Sequence, residues 1–305
     1  MTELHGILNL AKPLDWTSMD VVRRVKRLTG QRRVGHAGTL DPQATGVLPI
    51  CLGQATRLME YLVDNPKSYR SVIRLGVTTD TYDSEGKIIS DLDASYVSRE
   101  DVERSLDAFR GTFLQVPPMY SALKVDGTRL YKLARAGKEV ERKPREVHSY
   151  SINITAWNHP DVEIEIECGR GLYVRSLAHD IGVALGCGAS IKSLIRLASG
   201  PFTISSASTV EELEHAVENK VWQTLVFPID FPLLKSKAGM VDEDKEFAIK
   251  QGQGVYIGLV NLKNGHDDLT LRMYNLKGEF FALMRQDRVR GKWRARKVFN
   301  RINSE

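Results

Sequence analysis

One carboxylate, Asp41, stands inside the stretch GHAGTLDPQATGVLP from Gly35 to Pro49, among three glycines and two threonines. An isolated Asp-Pro pair is a turn or a helix N-cap, because Asp accepts backbone N–H bonds and Pro suits the first helical position. Here the glycines let the backbone approach a ligand closely. The stretch also follows a basic run, Arg23, Arg24, Lys26, Arg27, Arg32 and Arg33, with no acid between its ends. Four cations on a helix are ordinarily a solvated face, but two further arginines beside the Asp41 loop point to phosphate contacts. A second stretch, GRGLYVRSL from Gly169 to Leu177, places arginine at the start of a helix expected over about 171–185. Helix N-termini favour anions, so a cation there calls for a carboxylate partner or open solvent. In a third, Lys67-Ser68-Tyr69-Arg70, an aromatic at a strand start interleaves with bases, where a rim or core tyrosine is the ordinary alternative.

The elements that must position these groups are legible in the periodicity. Gly6–Leu10 reads as a first strand closed by Lys12-Pro13, and Thr17 with Asp20 has the spacing of a capping box. Val21, Val22, Val25 and Leu28 form a helical stripe ended by Gly30. Residues 68–76 alternate like a strand, and Ser98 opens a helix whose Val102, Leu106 and Phe109 face inward up to Gly111. Asp161 to Cys168 alternates almost without fault, with an apolar face to bury and an acidic face to wet. There is no βαβα rhythm, and turn signals such as Asp126-Gly127 favour antiparallel pairing. The fold class is therefore α+β.

Composition narrows the chemistry. The 305 residues carry 43 Lys+Arg against 38 Asp+Glu, a formal charge of +5, with 42% hydrophobic and 27% charged residues. That is the balance of an ordinary soluble globular protein. The three cysteines, Cys51, Cys168 and Cys187, form no CxxC, which fits a reducing cytoplasm. No HExxH, GxGxxG or P-loop pattern occurs, so no metal and no cofactor are expected. The longest apolar stretch, around Gly46–Leu52, is too short to span a bilayer, and the N-terminus lacks a secretory pattern.

The stretch GHAGTLDPQATGVLPICLGQATR resembles the catalytic motif of the TruB-type pseudouridine synthases. Further blocks similar to that family follow in order: Lys67–Arg70, Leu75–Thr81, Pro118–Lys124, Gly171–Ser176 and Leu185–Ala189. One departure is Asp15, which stands where the family's first motif usually carries Gly after Lys12-Pro13. The resemblance implies a large mixed, mainly antiparallel sheet flanked by helices, with a small C-terminal β-rich PUA-type domain. It implies Asp41 as nucleophile, Tyr69 stacking on the target uracil and Arg175 paired with Asp41. His36 would lie against the splayed RNA loop, and Tyr173 and Leu194 would line the uridine pocket. The expected substrate is the T-arm of tRNA, read by a monomer. A sugar C1′ attack, a base C6 attack and removal of a sugar proton by Asp41 are all compatible with these residues.

The expected organisation is a catalytic domain over 1–234, an RNA-clamping insertion at about 124–146, and an RNA-binding domain over 238–305. In the insertion, Arg129, Lys132 and Arg135 at spacing three would share one face of a helix over 128–137. From Arg285 to Arg301 there are eight Lys/Arg against one Asp. Arg288, Arg290, Lys292, Arg294 and Arg296 alternate there with apolar residues, as on a strand with one cationic face and a buried Trp293. Lys12 joins these residues as an expected RNA contact. A non-catalytic RNA-binding protein would have no need of Asp41 and Arg175, and a glycoside hydrolase would need a second cooperating carboxylate.

Overall fold

The computed structural model describes residues 3–121, 123–125, 127–257, 270–287 and 291–299, with Lys124 described by its backbone alone. Strand β1 (Gly6–Lys12) turns into helix α1 (Ser18–Thr29). The expected capping box is present: the Thr17 hydroxyl accepts from the Asp20 N–H at 3.1 Å, and the Asp20 carboxylate accepts from the Thr17 N–H at 3.0 Å. Gly30 ends the helix at φ +68°, a left-handed cap that glycine takes without strain. Strands β2 (Val34–His36) and β3 (Ala44–Leu52) bracket the Asp41 loop, and α2 (Met59–Asp64) leads into β4 (Lys67–Leu75). A hairpin, β5 (Val77–Thr79) with β6 (Ile88–Asp91), precedes α3 (Arg99–Leu106). Phe109, expected on that helix, lies on a following 3-10 turn over 107–109.

Next come β7 (Gly111–Gln115), a small hairpin of β8 (Lys124–Val125) and β9 (Thr128–Arg129), and α4 (Leu130–Arg135). The long pair β10 (Arg145–Asn158) and β11 (Asp161–Cys168) is followed by α5 (Val174–Leu185), β12 (Ala189–Ser199), β13 (Phe202–Thr203), α6 (Val210–Glu218) and β14 (Val226–Phe227). Among the described residues these strands form one sheet in the order β14-β1-β3-β12-β4-β11-β10-β7, with β2 on β3 and β13 on β12. Every pairing is antiparallel except β3 with β12. The α+β expectation holds.

Alternation explains the centre of the sheet. Ser71, Ile73 and Leu75 of β4 and Val162, Ile164 and Ile166 of β11 are buried. The apolar ones among them join Leu177, Ala178 and Ile181 of α5 in one cluster, each large apolar side chain contributing about 1.5–3 kcal/mol by leaving water. The acidic face of β11 is not simply wet. Arg70 sits opposite Glu165 and pairs with it at 2.7 Å, and Arg74 sits opposite Asp161 and pairs with it too. Cross-strand ion pairs of this kind fix register more than they stabilise.

A second sheet, β15-β16-β17-β18, is built from β15 (Lys237–Met240), β16 (Thr270–Tyr274), β17 (Phe280–Asp287) and β18 (Lys292–Val298), with α7 (Glu243–Lys250) between the first two. Its core includes Trp293, buried as the alternation required. The cationic strand is shorter than the sequence pattern suggested, since β18 begins at Lys292 and carries three of the five alternating cations, Lys292, Arg294 and Arg296. Arg288 and Arg290 lie outside the described residues. The two sheets also share apolar packing. Phe280, Leu283 and Phe299 cluster with Ile7, Phe202, Ile229 and Leu233. Lys297 pairs with Glu60 at 2.5 Å, and Arg272 with Asp230 at 3.1 Å.

Candidate active site

The Asp41 loop is held by its neighbours rather than by its own regular structure. The Ser18 hydroxyl, at the start of α1, donates to the Leu40 carbonyl at 3.1 Å and accepts from the Leu40 N–H at 2.9 Å. Ala37 N–H bonds the Pro49 carbonyl, and Ala44 N–H bonds the Asp41 carbonyl, both at 3.0 Å. Asp15 adopts φ +65°, so the residue standing in place of a glycine does occupy a left-handed turn, which Asp tolerates better than most residues. Its N–H bonds the Pro42 carbonyl at 3.0 Å, and its carboxylate accepts from the Gln43 amide at 2.8 Å. At the far end, Gly46 has φ +99°, and a Cβ there would lie 2.3 Å from the Arg196 carbonyl oxygen. Only glycine lets β3 and β12 close at that point.

Lys12 corrects the sequence reading. Expected to contact phosphate, it is 1% exposed, and its ammonium donates to the carbonyls of Pro13, Trp16 and Pro42 at 2.8, 2.6 and 3.1 Å. An ammonium has three donors, and all three are used inside the protein. Burial lowers its pKa to about 8, against the pull of the Asp41 and Asp15 carboxylates. Lys12 is a peg under the loop, not a surface contact.

Arg175 is the second residue of α5. The helix starts later than expected because Gly171, at φ +92°, and Tyr173, in extended conformation, precede it. The Arg175 side chain is 6% exposed, and its Nε lies 2.9 Å from Asp41 Oδ2. Its Nη1 is 3.5 Å from Asp83 Oδ2 and donates to the Thr81 carbonyl at 3.2 Å, while Nη2 donates to the Tyr120 carbonyl at 2.7 Å. The cation at the helix start thus has the carboxylate partner its position called for. The Asp41 side chain remains 37% exposed, toward a cavity of about 400 Å³ lined by Gly38, Tyr69, Tyr173, Leu194 and Arg196 among others. Burial raises the Asp41 pKa, the Arg175 guanidinium opposes that rise, and the Asp83 carboxylate adds to it.

Tyr69, on β4, lies opposite Ile166 of β11 and Arg196 of β12, at the floor of the sheet where strands from both sides meet. Burial raises its pKa, and the Arg196 guanidinium draws it the other way. Gln115 holds the Tyr173 backbone on both sides, accepting from its N–H at 2.8 Å and donating to its carbonyl at 3.1 Å. His36, on β2, stands apart from the cavity lining, and burial lowers its pKa.

Three residues of the site carried no role in the sequence reading. Asp83 sits just beyond the Leu75–Thr81 block. Lys67 donates to the carbonyls of Leu62, Val63 and Asn65 and so ties the end of α2 to the cavity wall. Arg196 shares a strand face with Leu194, a period-two relation that placed it at the cavity all along.

The expected RNA-facing cations divide into paired and open ones. Arg23 pairs with Asp20 at 2.7 Å, Arg24 with Glu214 at 2.6 Å, and Arg33 lies 3.9 Å from Glu3. Arg27 and Arg32 are exposed. In the insertion, α4 spans only Leu130–Arg135, so Arg129 belongs to β9 and stands at the position before the helix instead of sharing its face. Arg129, Lys132 and Arg135 are all exposed. The insertion is pinned to the cavity rim, with Tyr131 N–H on the Ser121 carbonyl at 3.1 Å. On β18, Arg294 is 3.8 Å from Asp287, and Arg296 and Lys292 lie over the rings of Tyr61 and Tyr256.

Comparison with known proteins agrees with this geometry. The pattern of the TruB family pseudouridylate synthase N-terminal domain matches residues 26–174, and that of the tRNA pseudouridylate synthase B C-terminal domain matches residues 175–233. A protein from Dehalococcoides mccartyi named tRNA pseudouridine synthase B is 42% identical over 298 residues, 98% of this chain and 97% of its own length. One of the same name from Syntrophotalea carbinolica is 49% identical over 211 residues, 69% of each chain. Among solved structures, an H/ACA RNP bound to a substrate RNA containing 2′-deoxyuridine is similar with a TM-score of 0.73 at 23% identity, covering 98% of this chain and 86% of that one. At that identity the likeness speaks for the fold.

Proposed function

This chain belongs to the TruB family of pseudouridylate synthases, and from that premise we propose that it isomerises uridine-55 in the T-loop of tRNA to pseudouridine at the Asp41 cavity. The reaction breaks the C1′–N1 bond, turns the uracil over and forms a C1′–C5 bond. The C5 proton is lost and N1 gains one, so nothing is oxidised and the atoms balance within the nucleoside. Asp41 supplies the carboxylate on which bond cleavage depends, and Arg175 favours its ionised form. Tyr69 stacks on the base, while Tyr173 and Leu194 wall the pocket. The observation that carries this reading is the 2.9 Å Arg175–Asp41 pair opening onto a cavity with Tyr69 in its wall.

The target base is folded into the T-arm, so it must leave its stack at a cost of a few kcal/mol. Stacking on an aromatic returns about 1–3 kcal/mol per base. The remainder comes from phosphate contacts, for which Arg27, Arg32, Arg129, Lys132, Arg135, Arg294 and Arg296 are exposed. His36 meets the splayed loop from outside the cavity. Among the described residues no helix is long and apolar enough to cross a membrane, and we place the enzyme in the cytoplasm as a monomer. Incubation with an unmodified tRNA transcript, followed by chemical labelling of pseudouridine, tests the assignment. One modified T-loop position per tRNA is expected, and an unmodified T-loop after prolonged incubation would overturn it.

A further inference from the structure

Among the described residues Arg196 is the more deeply buried of two enclosed arginines, 1% exposed on the central strand β12 against 5% for Arg175. Its Nε donates to the Val47 carbonyl at 2.6 Å and its Nη2 to the Gly38 carbonyl at 3.1 Å. Both acceptors are neutral. No carboxylate among the described residues pairs with it, although Arg175, beside the same cavity, has two. An enclosed guanidinium without an anion is costly, and its retention needs a compensating role. The acidic side chain beside it is Tyr69, its cross-strand neighbour on β4, and the two line the same cavity. Gly38, which the guanidinium also grips, belongs to the Asp41 loop.

We propose that Arg196 is a positioning residue that holds the Tyr69 oxygen and the Asp41 loop at a fixed separation and serves as counter-ion to a transient Tyr69 phenolate. This rests on the reading of the cavity as a uridine isomerase. The proton balance then closes within the site. After C1′–N1 cleavage the uracil is an anion, and the Tyr69 hydroxyl protonates its nitrogen, leaving a phenolate beside Arg196. Once C1′ has bonded to C5, the C5–H bond breaks, its electron pair restores the C5=C6 double bond, and the proton returns to the Tyr69 oxygen. The net result is one proton moved from C5 to N1, as the isomerisation requires. Arg175 is occupied elsewhere, since four of its five donors face Asp41, Asp83 and the Thr81 and Tyr120 carbonyls.

The test is single-turnover pseudouridine formation across pH, with Arg196→Gln, Arg196→Lys and Tyr69→Phe singly and in combination. Arg196→Gln should slow the step by about 100-fold or more, the scale of a lost general acid–base function, with tRNA affinity within about threefold, since phosphate contacts set affinity. The hydroxyl is the form that enters the step, so the rate falls as Tyr69 ionises; Arg196→Gln should move that falling limb to higher pH, and Arg196→Lys should recover part of the loss in rate. In a Tyr69→Phe background, Arg196→Gln should cost much less than it does alone, because the phenolate function is already lost and only the hold on the Asp41 loop remains to be removed. Full additivity of the two, or a pH profile unchanged by Arg196→Gln, would overturn the proposal. Should Arg196→Gln fail to fold, 3-fluorotyrosine at position 69 keeps Arg196 intact, and its lower phenol pKa should move the falling limb to lower pH; an unmoved limb would count against the phenolate. Failure of the isomerase reading itself is separate, since the unaltered protein would then form no pseudouridine.

Discussion

The guanidinium of Arg175 approaches the Asp41 carboxylate at 2.9 Å from a side chain that is itself 6% exposed. The pair therefore works at the edge of water, with the cation enclosed and the anion facing the cavity. Burial raises the Asp41 pKa and Arg175 opposes that rise. In the proposed reaction the ionised carboxylate is the reactive form, so the rate should be retained above this pKa and lost as pH falls through it. Replacing Arg175 with Gln removes the opposing charge and should move the acid limb of the single-turnover profile to higher pH. A limb at the same pH in both proteins would show that Arg175 does not act on Asp41.

Asp41→Asn keeps the volume of the side chain and removes its charge. Pseudouridine formation should vanish while tRNA affinity stays within about threefold, because many cations share the phosphate contacts. Turnover above the uncatalysed background in a contamination-free preparation would remove Asp41 from the chemistry.

Tyr69→Phe should retain the ring contact with the base and so hold affinity, while the chemical step slows by orders of magnitude. Tyr69→Ala should lose affinity as well, by up to the ~1–3 kcal/mol of one stacked base. Filter binding beside single-turnover rates separates the two effects.

Lys12→Met distinguishes a loop peg from a phosphate contact. The log–log salt dependence of tRNA binding should keep its slope, whereas loss of a phosphate contact would lower it by about 0.7–0.9. The rate should fall through the loosened Asp41 loop. Stability carries a second signature. With a folded pKa of about 8 against an ordinary 10.5, the unfolded chain binds more protons between those values, so Lys12 makes stability rise with pH across that window. Urea melts of Lys12→Met should lack that contribution.

Arg294→Ser with Arg296→Ser tests the cationic face of β18 more cleanly than removal of residues 238–305, which would expose Phe202, Ile229 and Leu233. Affinity should fall and the salt slope should flatten by about 0.7–0.9 per lost contact, with the chemical step at saturating tRNA nearly unchanged. An unaltered slope would exclude both arginines from the interface.

Much of this was legible in the sequence where local rules suffice. The Thr17–Asp20 cap, the buried face of Asp161–Cys168 and the enclosed Trp293 follow from spacing alone. The Arg175–Asp41 partnership was foreshadowed by a cation at a helix start. What the sequence concealed depends on contacts between distant segments. Lys12 reads as one more surface base until the Pro42 carbonyl, brought by a separate loop, accepts one of its hydrogen bonds. Arg196 reads as an ordinary strand charge until the parallel pairing of β3 and β12 walls it in. The limits of α4 and β18 were blurred because alternating or three-spaced cations do not say where a turn intervenes.

On the proposal that the β18 cations grip RNA, the apolar cluster that joins Phe280, Leu283 and Phe299 to Ile7 and Phe202 makes the molecule a gauge of length. With that seam closed, the span from the β18 cations to Asp41 is a fixed baseline. An RNA can engage both only if its own fold offers a phosphate run and an extrudable uridine at the matching distance. A wrong spacing forfeits the intramolecular advantage of the second contact, whatever the bases. Selection among RNAs can then be made by measuring their shape, with no side chain assigned to spell out the sequence.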